Sequence, residues 1–368
     1  MVKPIWVFIY TQRWQITPND FWMLRQYYLD TNLSPASSVL AQSKDVSQLN
    51  TSFTTVDELT QKPGVLAIIA FDRPCIEPDR LGIIPAGIPS LSGKAYEVIE
   101  YLDQVAERGV NDGCQWSRID DVFCAATWIS PQDCADLEAA TNDAYTRLFR
   151  VITAAGFPHP FRIWNLIPDI NKGDGDLEEY KKFCAGRLSA FESLDGSQQQ
   201  FPAASAVGIQ RAGDSQQGAV IYMLATRQPG RAYENPRQQP AYHYPRQYGP
   251  SSPSFARATR IQLNSQQLIF ISGTASIIGH DTKGHDDLEQ QLEITIDNIR
   301  HLLNSIDAEA SPPTAIRVYL RHKENLEATQ AYLFRQFSES AINIVCADIC
   351  RDNLLVEIEC TSVAKLSP

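Results

Sequence analysis

Glu357 and Glu359 stand two residues apart in the stretch LLVEIEC, residues 354–360. Residues two apart on a strand point to one side, so both carboxylates share a face while Val356 and Ile358 take the other. The flanking Leu354, Leu355, Val356 and Ile358 predict a strand buried on at least one face; the competing reading is a solvated edge. A buried carboxyl is pushed up by desolvation and by a like neighbour, stays protonated at neutral pH and can act as a general acid. Either glutamate could be that acid, with the other as the neighbour that raises it.

A second group of chemically able residues lies in NPRQQPAYHYPRQYGPSSPSFARAT, residues 235–259. It crowds Arg237, Arg246 and Arg257 among Tyr242, Tyr244, Tyr248 and five prolines, which suits neither a helix nor a central strand. Guanidinium forks and phenol hydroxyls suit the capture of a small ring bearing carboxylates. Proline orders such a grip before the ligand arrives. Composition alone would also fit a proline-rich surface loop.

The elements that must position these groups read as one unit written twice. Strand LIFISGTASI, a helix over 288–306, strand AIRVYLR, a helix over 326–337, strand INIVCADI and strand LLVEIECTSVA follow in order. Upstream, a helix over 140–155, FRIWNLI, a helix over 178–191, ASAVGIQ and GAVIYMLAT repeat that order, with GVLAIIAFD as the looser candidate for the missing first strand. The expected fold is α+β: two tandem diverged units, each a mixed sheet with helices on one face, divided as residues 1–230 and 231–368. GAVIYMLAT carries no carboxylate where LLVEIEC carries two.

Composition narrows the function. A formal charge of −11 without a basic run argues against a nucleic-acid binder, and no apolar run approaches a membrane span. Eight cysteines without a CxxC pair, and no secretory leader, predict a reducing cytoplasm. His280 and His285 with Asp281, Asp286 and Asp287 fit no metal-ligand spacing and read as a polar loop before a helix. There is no glycine-rich phosphate loop or nucleophile elbow. No metal and no cofactor are expected.

The second unit resembles the YjgF/RidA fold through SGTASI and VEIEC. That family typically places a substrate-binding arginine upstream of the strand glutamate, and residues 340–345 contain none, which speaks against imine deaminase chemistry. FRIWNLIPDIN, CAGRLSAF, the Arg/Tyr segment, SGTASIIGH and ADICRDNLLVEIE, taken together, resemble the chorismatases, which cleave chorismate to pyruvate and a ring acid. The resemblance covers almost the whole chain after about residue 64.

The resemblance implies that Glu357 protonates the enol methylene of the enolpyruvyl ether and creates an oxocarbenium-like centre. Arg257 and Tyr244 would lead in holding the two carboxylates, with Arg246, Tyr248, Arg237, Arg162 and Arg321 as further candidates. Cys350, Gly273 and Ala275 would shape the pocket. Cys350 occupies the place of the cysteine in the hydroxybenzoate-forming branch, where attack by the neighbouring ring hydroxyl leads to 3-hydroxybenzoate, with 4-hydroxybenzoate as a second product. Water attack would give a dihydroxycyclohexadiene acid instead. The other alternative is a non-catalytic ligand-binding protein, and monomer and trimer both remain open.

Overall fold

In the computed structural model, residues 48–55, 63–77, 80–101, 104–194, 200–210, 217–264, 266–306 and 312–364 are described, and they belong to one compact unit. The expectation for residues 1–47 falls outside them. The first four strands, Leu49–Thr54 (β1), Val65–Ala70 (β2), Ile83–Pro85 (β3) and Tyr96–Tyr101 (β4), make a small sheet in the order β1-β4-β2-β3.

Next come Glu107–Asn111 (β5), Cys114–Ile119 (β6), Val122–Ile129 (β7), helix Leu137–Ala154 (α1), His159–Pro168 (β8), helix Glu179–Glu192 (α2), Ala203–Ile209 (β9) and Ala219–Thr226 (β10). The second half runs Arg231–Tyr233 (β11), Ala258–Leu263 (β12), Gln266–Ala275 (β13), the ribbon Ile277–Ile278 (β14) and Asp281–Thr282 (β15), and helix Leu288–Ile306 (α3). It continues with Ala315–Leu320 (β16), helix Leu326–Gln336 (α4), Ala341–Cys346 (β17), Asp348–Ile349 (β18) and Val356–Ala364 (β19).

The sheet orders are β18-β9-β8-β10-β7-β6-β5 and β11-β12-β13-β19-β16-β17. With β18 set aside, one order maps onto the other strand for strand, and the parallel pairs β8/β9 and β16/β17 correspond. The repeat therefore holds, with one correction. GVLAIIAFD is not the first strand of the first copy: Val65–Ala70 lies in the small sheet, and Val122–Ile129 takes the place. All six residues of β2 are buried apolar, and such a run states that it is buried without stating its neighbours. The division expected at residue 230 falls in the connection between β10 and β11.

Alternation sorts the strand residues into layers. Phe161, Leu166, Val220 and Leu224 of the first sheet meet Ile261, Leu268 and Phe270 of the second in one inner layer, which Leu66, Ile69 and Ile99 of the small sheet join. Helices cover the outer faces: Leu148, Ile152 and Phe183 pack on Ile163, Ile221 and Met223, and Leu292, Ile296 and Ile299 on Ile269, Ile316 and Ile358. Each such fully buried side chain contributes roughly 1.5–3 kcal/mol of transfer free energy. No helix among the described residues is long and apolar enough to cross a membrane, and all eight cysteines are free thiols.

Candidate active site

β19 runs between β13 and β16, so LLVEIEC is a central strand and not a solvated edge. Val356, Ile358 and Cys360 pack under α3 and α4, which turns Glu357 and Glu359 together towards the first copy. α3 fixes the approach to the strand: Gln291 Oε1 accepts from the Leu355 amide at 2.8 Å, and its Nε2 donates to the Asn353 carbonyl at 2.9 Å. Asn298 of the same helix donates to the carbonyls of Ala275 and Ile277, holding the end of β13.

The ladder between β13 and β19 breaks where the carboxylates need room. Ile271 pairs with Cys360 and Thr274 with Ile358, so Ser272 and Gly273 bulge opposite Glu359. A Cβ on Gly273 would lie 1.9 Å from Oε1 of Glu357, so any larger residue there would have to push the carboxyl aside. The Gly273 amide donates to Ser205 Oγ of β9 at 2.9 Å, which ties the bulge to the first copy.

The two glutamates are then driven apart electrostatically. Glu359 accepts from Arg162 Nη2 at 2.6 Å, Ser205 Oγ at 2.6 Å, Trp164 Nε1 at 2.7 Å and Tyr319 OH at 2.9 Å, and Arg317 Nη1 lies 3.3 Å away. The cations and donors outweigh its burial and hold it below the usual carboxylate range. Glu357 is pushed up to about 8, first by burial and then by the Glu359 charge, against the pull of Arg162, Arg257 and Arg321. One carboxyl stays protonated at neutral pH and the other ionised, the division of labour that acid catalysis by paired carboxyls requires.

Glu357 opens onto a cavity of about 320 Å³. β9 contributes Ala204, Ser205 and Ala206 to its wall, and β13 contributes Gly273 and Ala275. The Arg/Tyr segment adds Tyr244, Tyr248, Phe255 and Arg257, and α2 with its leading turn adds Tyr180, Lys181 and Arg187. Cys350, Arg351 and Asn353 come from the loop before β19. Buried Arg257 donates through Nη2 to Tyr244 OH at 2.8 Å and to the Gln239 carbonyl at 3.0 Å. Its Nε has no hydrogen-bond partner, nor does Nε of Arg187. The cavity thus holds four cationic side chains against Glu178, which pairs with Lys181 at 3.3 Å, and Asp352, so that cations still outnumber ionised carboxylates, a setting for an anionic ligand.

Of the expected substrate-holding residues, Arg257, Tyr244 and Tyr248 line the cavity and four arginines do not. Arg162 is turned to Glu359, where it compensates a buried charge. Arg321 is consumed by the loop it wraps, donating to Asp348 and Asn171 side chains and to the carbonyls of Ile349, Arg351 and Leu354. Arg246 forms an exposed ion pair with Asp176, and Arg237 lies 3.6 Å from Asp297.

Arg351 was missed by sequence reasoning. It lies over the Tyr248 ring at 4.1 Å and the Tyr244 ring at 5.4 Å, and donates to the His280 carbonyl at 2.9 Å. Its only signal was a basic residue directly after Cys350 in a polar connection between strands. Cys350 packs against the small apolar cluster of Ala275, Ile277, Ile349 and Leu354, and burial with the Glu357 charge pushes its thiol up to about 12. It is a neutral wall rather than a nucleophile.

A protonated carboxyl stands at the wall of a cationic, tyrosine-lined cavity between two copies of one α+β unit, an arrangement able to hold a small anion and hand it a proton. A family model described as "Chorismatase FkbO/Hyg5-like, N-terminal" matches residues 100–225. A 3-hydroxybenzoate synthase of Streptomyces hygroscopicus is 37% identical over 80% of this chain and 91% of its own length. A chorismatase of Streptomyces rapamycinicus is 31% identical over 69% of this chain and 78% of its own. The crystal structure of a chorismatase superposes with a TM-score of 0.72 at 27% identity, covering 86% of this chain and 98% of that one. The chain belongs to the chorismatase family.

Proposed function

We infer that this protein cleaves the enolpyruvyl ether of chorismate, releasing pyruvate and 3-hydroxybenzoate. The observation that carries the reading is the Glu357 carboxyl, held in its acid form at neutral pH beside an ionised Glu359. Glu357 delivers its proton to the enol methylene, and the ether carbon becomes an oxocarbenium-like centre. The neighbouring ring hydroxyl then attacks the ring carbon that bears the ether, that carbon–oxygen bond breaks and pyruvate leaves with the electron pair. Loss of one ring proton as the resulting epoxide opens gives the aromatic acid and replaces the proton that Glu357 gave. Chorismate is an isomeric sum of pyruvate and hydroxybenzoate, so neither oxidant nor net water is consumed.

Arg257 and Arg351, with Lys181 and Arg187, hold the substrate carboxylates, and Tyr244 and Tyr248 orient the two arginines they touch. Cys350, Gly273 and Ala275 shape the wall against which the cation forms, and an apolar wall there favours the ring hydroxyl over water. The name of the 37% identical relative supports the same product. Free thiols throughout support a cytoplasmic setting. The test is to mix protein with chorismate, follow pyruvate by a coupled assay and separate the ring acids by chromatography. The expected result is equal amounts of pyruvate and an aromatic acid that is mainly 3-hydroxybenzoate; exclusive formation of a dihydroxycyclohexadiene acid would overturn the product assignment.

A further inference from the structure

Four charged side chains lie buried together on the Glu359 side of Glu357: Arg162 from β8, Arg317 from β16, Glu359 from β19 and Glu97 from β4. Arg317 is shared. It donates to Glu97 Oε2 through Nη2 at 2.5 Å and Nε at 2.8 Å, while its Nη1 lies 3.3 Å from Glu359. The hydroxyls of Tyr222 and Tyr319 accept from Nη1 at 2.9 Å each. With Glu97 ionised, two cations and two carboxylates make the cluster formally neutral, so it offers no surplus cation to an ionised Glu357, whose remaining attraction is to Arg257 and Arg321.

Glu97 is the member that the site did not require. It lies in the small sheet, outside both copies, and does not line the cavity. Its two short bonds nonetheless take up the better part of the Arg317 fork, so that Glu359 is left with the longer contact and keeps more of its field. We propose that Glu97 is a positioning residue for the reaction: by holding Arg317 it keeps the field of Glu359 on Glu357 and so maintains the catalytic acid in its protonated form. The small sheet is on this view part of the catalytic machinery. The proposal rests on the reading of Glu357 as the acid.

The groups that face these carboxyls fix the signs. Glu357 sees Glu359, Arg162, Arg257 and Arg321, with the neutral Cys350 thiol and Tyr180 phenol beside it. Burial pushes the Glu97 carboxyl above the usual carboxylate range and Glu359 adds to the rise, while Arg317, through its charge and its two donated hydrogen bonds, and Arg162 pull the other way. The signs that follow are those for Glu97 ionised against the Arg317 fork. Neutralising Glu97 makes the cluster positive, favours ionised Glu357 and moves the loss of activity to lower pH. Neutralising Arg317 makes it negative and moves that loss to higher pH.

The experiment is kcat against pH for wild type, Glu97→Gln and Arg317→Gln. Wild type loses activity as pH rises through about 8. Glu97→Gln should keep most of its plateau at the acid end while the alkaline limb falls by roughly one pH unit, and Arg317→Gln should raise the limb. A limb that stays in place in a folded variant, with only the plateau lowered, overturns the proposal, and so does failure of both chains to fold, which would assign the pair to stability alone. Infrared titration of the protonated-carboxyl band that Glu357→Gln abolishes reads the same shift without turnover. A wild type inactive on chorismate would thus sink the substrate reading and leave the Glu97 effect measurable.

Discussion

β10 and β19 close the two copies at the same place in the sheet order, yet their inward positions differ in kind. β10 presents Val220, Tyr222 and Leu224 to the inner layer, and β19 presents Glu357 and Glu359. The first copy has become the support of the second: it lends Arg162, Trp164 and Ser205 to Glu359 and the β9 wall to the cavity. A duplicated unit can thus carry one active site when one copy keeps an apolar inner strand and supplies the partners that buried carboxylates in the other cannot do without.

Breaking the carboxyl side of this contrast should have the largest effect. Glu357→Gln gives the active strand a neutral, proton-poor inner position, and turnover should fall by about 10² to 10⁴ with binding of an inert chorismate analogue retained. Near-wild-type pyruvate release would end the assignment. Arg257→Ala should weaken capture of the dicarboxylate by roughly 2–5 kcal/mol, since the arginine is buried against the cavity. Calorimetry with the same analogue reads it, and unchanged affinity would return the segment to a surface-loop role.

Gly273→Ala probes the bulge. A methyl group 1.9 Å from Oε1 must displace the Glu357 carboxyl or the strand, and kcat should fall by on the order of 10² while affinity changes far less. An alanine variant with wild-type kcat would mean that the bulge absorbs the methyl. The smallest effect on rate and the sharpest on outcome belongs to Cys350. Replacement by alanine should alter the proportion of ring products more than total pyruvate, because protonation precedes the choice of nucleophile. An unchanged product distribution would remove Cys350 from that choice.

Much of this arrangement was legible before any coordinates. The period-two placement of Glu357 and Glu359 between apolar neighbours announced a buried pair, and helical spacing over 288–306 gave α3 its full length. Arg162 was not legible, because a strand arginine facing the interior looks the same in sequence whether a ligand or a carboxylate across the sheets awaits it. Glu97 gave no signal for the same reason: its partner Arg317 is far away in the chain. The GVLAIIAFD misplacement followed from a strand without alternation, which fixes burial and leaves the pairing undetermined.

β18 has a consequence for how the molecule is made. Ile349 and Asp348 pair with Val207 and Gly208, so the seven-stranded sheet receives its outermost strand from the other copy. Contacts that span so much chain form late, and until then β9 offers an open edge to any passing strand. Refolding should therefore show a slow phase whose yield drops as protein concentration rises. A single fast phase of concentration-independent yield would show instead that β9 is shielded from the outset. The same short strand that leads into the loop of Cys350 and Arg351 thus also seals an otherwise adhesive edge.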